Sequence, residues 1–391
     1  MKYTCDVVVV GAGPGGSMAA KHAALGGLDT ILIEKKAEIG APLRCAEGVS
    51  RRRLVEVGIE PDPKWISQEI LGSIMKSPSG HTLKVIEAHG DHGVGYVLER
   101  HLFDKAVAEQ AAAAGAKIMM RTGCTDVIRD ADGKLIGIRA RQMGTDIEIY
   151  AKCIVAADGF ESQTARWAGI DTSIGTNDVD TCIQYRMTNV DIEHEFCEFL
   201  IGSAAPGGYI WIFPKGERTA NVGLGIQGSK CKGKADAKYY LDRYIEKDER
   251  LRNGQILEIA GGAVSTSAGL ECSVADNLII VGDAARIINP LTGGGIYHAC
   301  MTGKLAGEIL SKCAENNNFS KEALIEYDAA WRSKIYPELE RNWRIKEKYV
   351  EMSDELLDEF ILAISDFDLK QIRVDDLIEA AKEKFPQILE D

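Results

Sequence analysis

The stretch DVVVVGAGPGGSMAA, residues 6–20, decides the fold of this chain. Four consecutive valines lead into Gly11, Gly13 and Gly16, and an alanine-rich segment follows. A GxGxxG pattern between a strand and a helix predicts dinucleotide binding. Glycine is needed at the turn, where the backbone approaches a pyrophosphate, and where the helix packs on the strand, while the helix N-terminus offers free amides. The stretch therefore predicts a Rossmann-like α/β domain.

Glu34 closes the apolar run LDTILIE, 18 residues beyond Gly16. An acidic side chain at this distance accepts hydrogen bonds from ribose hydroxyls and repels a 2′-phosphate. The first stretch alone leaves three alternatives open, which are NAD, FAD, and a glycine-rich turn that binds no ligand. A second feature of the sequence is needed to choose among them.

A second glycine-rich segment, LIIVGDAARIINPLTGGGI at residues 278–296, bears on the cofactor. An apolar strand ends at Asp283, and the triplet Gly293, Gly294 and Gly295 opens the following helix. The segment resembles the second fingerprint of FAD enzymes of the p-hydroxybenzoate hydroxylase type. In that group the aspartate meets the ribityl chain and the triplet packs under the flavin. The resemblance implies FAD as the cofactor.

Two shorter matches to the same group of enzymes occur in the same order along the chain. Asp158 and Gly159, in IVAADGFES at residues 154–162, match its additional DG motif. Arg100, in LERHLFDKAV, matches the arginine that precedes its second helix. The resemblance implies that Arg100 and Asp158 also belong to the FAD site.

The composition excludes several classes of function. The chain has 391 residues with 46 basic and 59 acidic side chains, a net charge of −13, which disfavours duplex nucleic acid as a partner. A strand that begins near residue 4 leaves no room for a signal peptide, and no apolar run approaches the ~20 residues of a membrane-spanning helix. We expect a cytoplasmic protein, or one that is peripheral at the inner membrane surface.

The ten cysteines are scattered and form no CxxC pair. Their spacing excludes the usual zinc and iron–sulfur motifs, so no metal is expected, and it favours a reducing compartment.

The FAD segments are separated by about 120 residues each, so they must converge from a discontinuous domain. The expected parallel sheet has short apolar strands at 4–10, 29–34, 117–121, 153–157 and 278–281, with helices at 14–26, 101–115 and 294–313. Period-two runs such as TCIQYRM and YIWIF predict an inserted antiparallel substrate sheet. The predicted boundaries are 1–69, 98–175 and 271–315 for the FAD domain, 70–97 and 176–270 for the substrate sheet, and 316–391 for a helical C-terminal region.

Two segments resemble a narrower family. PGGYIWIFPKGERTANVGLG at 206–225 resembles the YxWxFPK…NVGxG signature of geranylgeranyl reductases, and PLRCAEGVS at 42–50 resembles the flavin loop of that family. The similarity spans essentially the whole chain and is greatest to the archaeal-type digeranylgeranylglycerophospholipid reductases. It implies an FAD-dependent reductase that saturates the isoprenoid double bonds of geranylgeranyl chains in ether membrane lipids or their precursors.

The family resemblance also implies which residues contact FAD. Backbone contacts are expected at three of them, Cys45, Ala46 and Cys124, and Arg44 in the same flavin loop joins the set. The remaining contacts carried over from the family are Gly15, Glu34, Gly48, Arg100, Asp283, Gly295 and Ile296.

Three aromatic residues, Tyr209, Trp211 and Phe213, alternate along one strand and therefore share one face. Such a row of rings can line a slot for an extended hydrocarbon, or it can be ordinary core of a sheet. Lys215 follows in a predicted turn. It either meets a phosphate head group of the substrate or lies in solvent.

Reduction of an unactivated alkene requires a hydride and a proton. Cys45, in the loop RCAEG, is a candidate proton donor, although a thiol of ordinary pKa is a slow general acid. The alternative is that Cys45 is a small residue that supports the loop. Glu47 is expected to act through structure. A disulfide between Cys45 and Cys300 is a further possibility that the sequence does not establish.

Two other functions remain open at this stage. The same FAD architecture serves aromatic hydroxylases, so a flavin-dependent monooxygenase is one alternative, and a flavin-bearing electron-transfer module is another. With a single dinucleotide fingerprint, the chain needs an external electron donor such as NAD(P)H, a deazaflavin or reduced ferredoxin.

Overall fold

The structure, a computed structural model, describes residues 1–86, 94–231, 233 and 236–365. Its strands are β1 (Lys2–Val10), β2 (Thr30–Ile33), β3 (Gly48–Ser50), β4 (Ile66–Ile70), β5 (Gly72–Lys76), β6 (Thr82–Ile86), β7 (Gly95–Leu98), β8 (Lys117–Met119), β9 (Thr122–Arg129), β10 (Leu135–Gln142), β11 (Thr145–Ala156), β12 (Val179–Thr188), β13 (Phe196–Ile201), β14 (Tyr209–Gly216), β15 (Thr219–Gln227), β16 (Gln255–Ser265), β17 (Val274–Ala275) and β18 (Leu278–Ile280). Its helices are α1 (Pro14–Leu25), α2 (Arg51–Glu56), α3 (Arg100–Ala113), α4 (Gln163–Trp167), α5 (Ala237–Lys247), α6 (Ile296–Glu315), α7 (Lys321–Tyr349) and α8 (Asp354–Ser365).

The chain divides into two compact units. The first unit comprises Met1–Pro42, Arg100–Ile174 and Ser267–Glu340. The second unit comprises Leu43–Glu99, Gly175–Thr266 and the chain from Arg341 onward. Both units are therefore discontinuous in sequence.

The first unit is built on an eight-stranded sheet whose main path runs β17-β18-β11-β1-β2-β8. The pairs β1–β11, β1–β2, β11–β18 and β2–β8 are parallel, as predicted. The four valines of β1 are buried because both faces of a parallel sheet are covered. Strands β9 and β10 extend this sheet as an antiparallel hairpin against β11, a feature that the sequence analysis did not predict.

The second unit contains a seven-stranded sheet in the order β16-β12-β15-β14-β13-β5-β6. It is antiparallel as predicted, except that β13 and β5 are parallel. One face is apolar and packs on α5, through residues such as Ile210, Ile212 and Val222 against Leu241. The opposite face carries Trp211 and the other residues of odd number in β14, as the period of two requires.

The predicted boundary of the first FAD segment, residue 69, is wrong. The first unit ends at Pro42. Strands β3 and β4 both pair with β7 in a separate three-stranded sheet. Because β7 belongs to the second unit, residues 43–69 belong to it as well.

The C-terminal helices do not form a region of their own, contrary to the prediction for 316–391. The part of α7 up to Glu340 belongs to the first unit. There the Trp331 indole N–H donates to Ser273 Oγ at 2.9 Å, and the Tyr327 hydroxyl donates to the Ile280 carbonyl at 2.9 Å. The part of this predicted helical region beyond residue 365 lies outside the described residues. In the part that is described, no helix combines the length and apolar character needed to cross a membrane.

Candidate functional site

The three glycines of the turn between β1 and α1 differ in what a side chain would meet at each position. Gly11 has φ +105°, and a Cβ there would lie 2.4 Å from the Ala157 carbonyl oxygen. A Cβ on Gly16 would lie 1.9 Å from the Gly11 carbonyl oxygen, so α1 packs directly on the turn. A Cβ on Gly13 would meet no protein atom within 4 Å. The space beside Gly13 is thus open for a ligand at the N-terminus of α1.

Glu34 lies at the end of β2, where its carboxylate is buried against the turn. One oxygen accepts from the Ala12 N–H at 3.0 Å, and the other accepts from the Lys36 N–H at 2.9 Å. These bonds fix the carboxylate beside the glycine-rich turn, the position from which an acidic residue can accept from a ribose hydroxyl.

The three glycine-rich segments meet in the first unit. A Cβ on Gly11 would lie 3.3 Å from the Asp158 Cα, and one on Gly15 would contact Val281 of the segment 278–296 and Ala299 of α6. Helix α6 approaches α1 closely, since a Cβ on Gly303 would lie 2.1 Å from the Gly15 carbonyl oxygen. The N-termini of both helices are therefore held together by contacts between their backbones.

Two partly buried aspartates, Asp158 and Asp283, stand in this region. Asp158 Oδ2 accepts from the Thr164 N–H at 2.7 Å, whereas the buried Oδ1 accepts no hydrogen bond from the residues that the structure describes. Asp283 is close to the glycine triplet, since a Cβ on Gly295 would lie 3.1 Å from its Oδ1. Burial raises the pKa of both Asp158 and Asp283, and the nearby Arg100 opposes the shift at Asp283.

The residues of the first unit fit FAD. They provide open space at Gly13, an oxygen of Asp158 that accepts no hydrogen bond from the described residues, and a partly buried carboxyl group on Asp283. Ile296 begins α6 directly after the triplet. Cys124 lies in β9, where burial raises its pKa to about 12, so its thiol stays protonated near neutrality.

The loop of residues 45–48 belongs to the second unit and lies against the seven-stranded sheet. Gln184 Nε2 donates to the Cys45 carbonyl at 3.1 Å, and Asn221 Nδ2 donates to the Ala46 carbonyl at 3.3 Å. A Cβ on Gly48 would lie 2.9 Å from the Phe213 ring. Arg44, at the start of this loop, is exposed.

The aromatic row has the single face that its spacing predicts. The rings of Tyr209 and Trp211 have centroids 5.9 Å apart, and Phe199 of β13 joins the row at 5.7 Å from Tyr209 and 5.3 Å from Phe213. Trp211 Nε1 donates to Gln184 Oε1 at 2.8 Å. Phe199 and Gln184 were not predicted, although Gln184 lies in the period-two run TCIQYRM.

Lys215 neither lies in solvent nor is placed to meet a phosphate head group, so both interpretations made from the sequence are wrong. Its side chain is completely buried, and its ammonium group contacts Glu47 at 2.7 Å and Glu99 at 3.1 Å and donates to the Leu98 carbonyl. It is neither a solvated turn lysine nor free to meet a phosphate, because its three hydrogens are used within the protein. The residue lies at a β-bulge between Pro214 and Gly216, a feature that redirects side chains.

Asp180 is a titratable group that the sequence analysis missed. It stands on β12 two residues before Cys182, on the face that carries the aromatic row. A Cβ on Gly225, the partner of Tyr209 in the sheet, would lie 3.7 Å from Asp180 Oδ2. Burial raises the pKa of Asp180 to about 7, and the Lys346 ammonium opposes that shift.

None of the ten cysteines, all of which lie among the described residues, forms a disulfide. The disulfide between Cys45 and Cys300 that the sequence left open is therefore not formed. Cys45 Sγ instead accepts from the Glu47 N–H at 3.2 Å. Among the described residues no group of histidine, cysteine and acidic side chains is arranged to hold a metal ion.

Known proteins share both halves of this architecture. The chain matches a model for the geranylgeranyl reductase catalytic domain over residues 178–264 and a model for an FAD binding domain over residues 6–54. The digeranylgeranylglycerophospholipid reductase of Methanothrix thermoacetophila is 44% identical over 94% of this chain and 93% of that protein. The enzyme of the same name from Methanoculleus marisnigri is 42% identical over 100% of this chain and 97% of its own length.

Solved structures agree with these matches. A geranylgeranyl bacteriochlorophyll reductase-like protein from Thermoplasma acidophilum superposes with a TM-score of 0.96 at 40% identity, over 99% of this chain and 98% of that one. The flavin-dependent brominase Bmp2 shares the fold alone, with a TM-score of 0.70 at 19% identity over 98% of this chain and 99% of its own. FAD as cofactor and the expected family are thereby confirmed. The chain belongs to the geranylgeranyl reductase family of FAD-dependent oxidoreductases, on its digeranylgeranylglycerophospholipid reductase branch.

Proposed function

We propose that this enzyme saturates the double bonds of geranylgeranyl chains carried by a glycerophospholipid, with Tyr209, Trp211 and Phe213 lining the slot for the hydrocarbon. The observation that carries the proposal is the buried aromatic row on one face of β14. That row lies inside the region matched by the catalytic-domain model, residues 178–264. Flat apolar rings offer an extended isoprenoid chain contact area without polar groups that would need a partner.

The residues of the first unit that are proposed to hold FAD are those described above. Bound and reduced, FAD supplies the hydride for the alkene. The open space at Gly13 and the amides at the start of α1 support binding of the pyrophosphate. Glu34 supports binding of a ribose, and Asp283 beside Gly295 supports binding of the ribityl chain.

The proton for the second alkene carbon requires a separate source. Cys45 stays a candidate, but the hydrogen bonds of its loop support a structural role at least as well. Cys45→Ser keeps the shape and removes the thiol, which raises the pKa of the donor by several units. If the thiol delivers the proton, chemically reduced enzyme with full flavin loading reoxidises far more slowly on addition of lipid. We expect a rate within a few-fold of wild type, which removes Cys45 from the list of donors.

An external donor is proposed to reduce the flavin. The described residues contain one dinucleotide fingerprint and no cluster that could hold a metal relay. NAD(P)H, a deazaflavin and reduced ferredoxin are distinguished by anaerobic bleaching of the bound flavin with each donor in turn.

We also propose that the protein meets its substrate at a membrane surface, since a glycerophospholipid with geranylgeranyl chains resides there. Flotation with vesicles made from archaeal-type ether lipids tests this point. Recovery of the protein only in the vesicle-free fraction, under conditions in which it turns over lipid, contradicts it.

The decisive experiment for the reaction is mass spectrometry of lipids from cells that express the chain together with a digeranylgeranyl lipid pathway. The proposal predicts lipids heavier by two hydrogens for each saturated bond. Anaerobic turnover separates a reductase from a hydroxylase, because a hydroxylase needs oxygen to form its hydroperoxide. An oxygen-dependent product that is heavier by one oxygen atom contradicts the proposal.

A further inference from the structure

The loop of residues 45–48 is bound to the seven-stranded sheet at consecutive residues. Gln184 donates to the Cys45 carbonyl, and Asn221 donates to both the Ala46 carbonyl and the Glu47 carboxylate, the latter at 2.7 Å. Lys215 donates to the same oxygen of Glu47 at 2.7 Å. Three side chains from three different strands thus converge on one short loop.

The ion pair between Glu47 and Lys215 is costly to build. Both side chains are 0% exposed, so each charge has been removed from water. Removing two charges from water is compensated only by close contact and further hydrogen bonds. Glu47 also has φ +77°, an uncommon conformation for a residue with a Cβ.

Two further charged side chains, Glu99 and Arg186, extend the ion pair between Glu47 and Lys215. Glu99 contacts Lys215 at 3.1 Å and Arg186 at 2.9 Å, so ion pairs connect Glu47, Lys215, Glu99 and Arg186 in a chain of contacts. Glu99 is held ionised, since its pKa is lowered by the hydrogen bond from Arg186 and the charge of Lys215 despite partial burial. Breaking a fully buried ion pair by removing one partner is strongly destabilising, so the contact between Glu47 and Lys215 resists displacement.

Gln184 connects the loop to the aromatic row. Its Nε2 donates to the Cys45 carbonyl, and its Oε1 accepts from the Trp211 indole N–H. Both bonds are made by one amide, and a flipped amide would place its N–H₂ against the indole N–H. The position of the loop and the orientation of Trp211 are therefore linked through one planar group.

We propose that Lys215 and Gln184 are positioning residues that clamp the loop of residues 45–48 onto the aromatic row and make that loop a fixed wall of the slot. The inference rests on the proposed function for the identity of the slot. It assigns to the lysine of the FPK segment a role inside the protein in place of a contact with the lipid head group.

The test measures how firmly the loop is held, in holoenzyme and without lipid. Lys215→Met keeps the length of the side chain and removes its charge. We expect alkylation of Cys45 by iodoacetamide, followed by peptide mass spectrometry, to accelerate roughly tenfold or more, equivalent to about 1.4 kcal/mol of lost restraint. Amide hydrogen exchange over residues 44–50 should rise with it. Labelling of Cys231 and Cys272, both partly buried elsewhere, should stay at the wild-type rate.

Glu198→Gln is the matched control. Glu198 is 1% exposed, lies in the same sheet and pairs with Lys76 at 2.6 Å and Arg250 at 2.7 Å, but it does not touch the loop. It should lower overall stability to a similar extent while leaving Cys45 labelling unchanged. Equal acceleration at Cys45 in both variants would mean that general destabilisation, not a clamp, governs the loop.

Gln184→Leu provides a second route if Lys215→Met does not fold. It removes both bonds of the bridging amide without leaving a buried charge, and it should accelerate Cys45 labelling and alter Trp211 fluorescence. Wild-type labelling and exchange in whichever variant folds overturns the clamp. Because no substrate is used, this result stands apart from the proposed function, which fails separately if lipid reduction is not observed.

Discussion

Gly13 and Gly16 lie in the same turn, yet alanine should fail at each for a different reason. The Cβ introduced by Gly16→Ala would lie 1.9 Å from the Gly11 carbonyl oxygen and 3.0 Å from the Ala157 Cβ, so the turn or α1 must move. Overpacking of this kind costs about 1–3 kcal/mol, and more where backbone cannot shift. Gly16→Ala should therefore destabilise the protein even without cofactor.

Gly13→Ala should leave the apoprotein intact. Its Cβ meets no protein atom within 4 Å, and the residue has φ −70°, which any residue adopts. Replacement of glycine at a compatible position stabilises by about 0.4–1 kcal/mol through the unfolded state. With FAD bound, the same methyl group would occupy space assigned to the pyrophosphate, and affinity should fall about 10–100-fold, or roughly 1.4–2.8 kcal/mol.

The two effects are separated by two measurements on each variant. Urea unfolding of the flavin-free protein reports the stability, and titration with FAD by quenching of flavin fluorescence reports the affinity. Wild-type FAD affinity in Gly13→Ala would refute the placement of the pyrophosphate. A wild-type unfolding midpoint in Gly16→Ala would refute the argument that the contact with Gly11 is rigid.

Three further predictions concern Asp283, Trp211 and Asp180. Asp283→Ala should lose most of its FAD, measured as flavin absorbance per protein, while its apoprotein stays folded by circular dichroism. Trp211→Ala should abolish turnover of lipid but retain FAD, at a cost of about 3–5 kcal/mol in stability, whereas Trp211→Phe keeps a ring and should recover part of the activity. Burial raises the pKa of Asp180 to about 7 from 3.8 in the unfolded chain, so the folded state binds the extra proton and stability should fall as pH rises from about 4 to 7. Asp180→Asn should remove this loss, on the order of 3–4 kcal/mol, seen as a smaller change of the urea midpoint between pH 5 and 7.5 than in wild type.

The sequence predicts the parts of the fold that depend on local pattern. The valines of β1 and the run LIIV before Asp283 are apolar on both faces, which is how buried parallel strands differ from half-exposed ones. The alternation of Tyr209, Trp211 and Phe213 likewise gives their common face directly. These features depend on spacing within a few residues, so the local sequence is enough to predict them.

The parts that could not be predicted depend on distant partners. Lys215 follows a strand and precedes a turn, which suggests solvent, but Glu47 is 168 residues away in sequence and its contact with Lys215 depends on how the sheet assembles. The raised pKa of Asp180 arises from desolvation by tertiary packing, which a local sequence pattern does not contain. The close packing of α6 at Gly303, by contrast, could have been predicted. Gly303 and Gly307 are spaced one helical turn apart, and such a pair of small residues indicates that another helix packs closely there.

The two-residue turn of Glu217 and Arg218 fixes the register of β14 against β15, and so limits insertions and deletions in these two strands. A sheet strand that gains or loses one residue presents its other face. With the turn held fixed, a single insertion just before Trp211 in β14 would turn Tyr209 toward the α5 face and bring Ile210 to the face that carries Trp211 and Phe213. Insertions and deletions of one residue should therefore be tolerated in the loops at the ends of this sheet but not within the hairpin of β14 and β15.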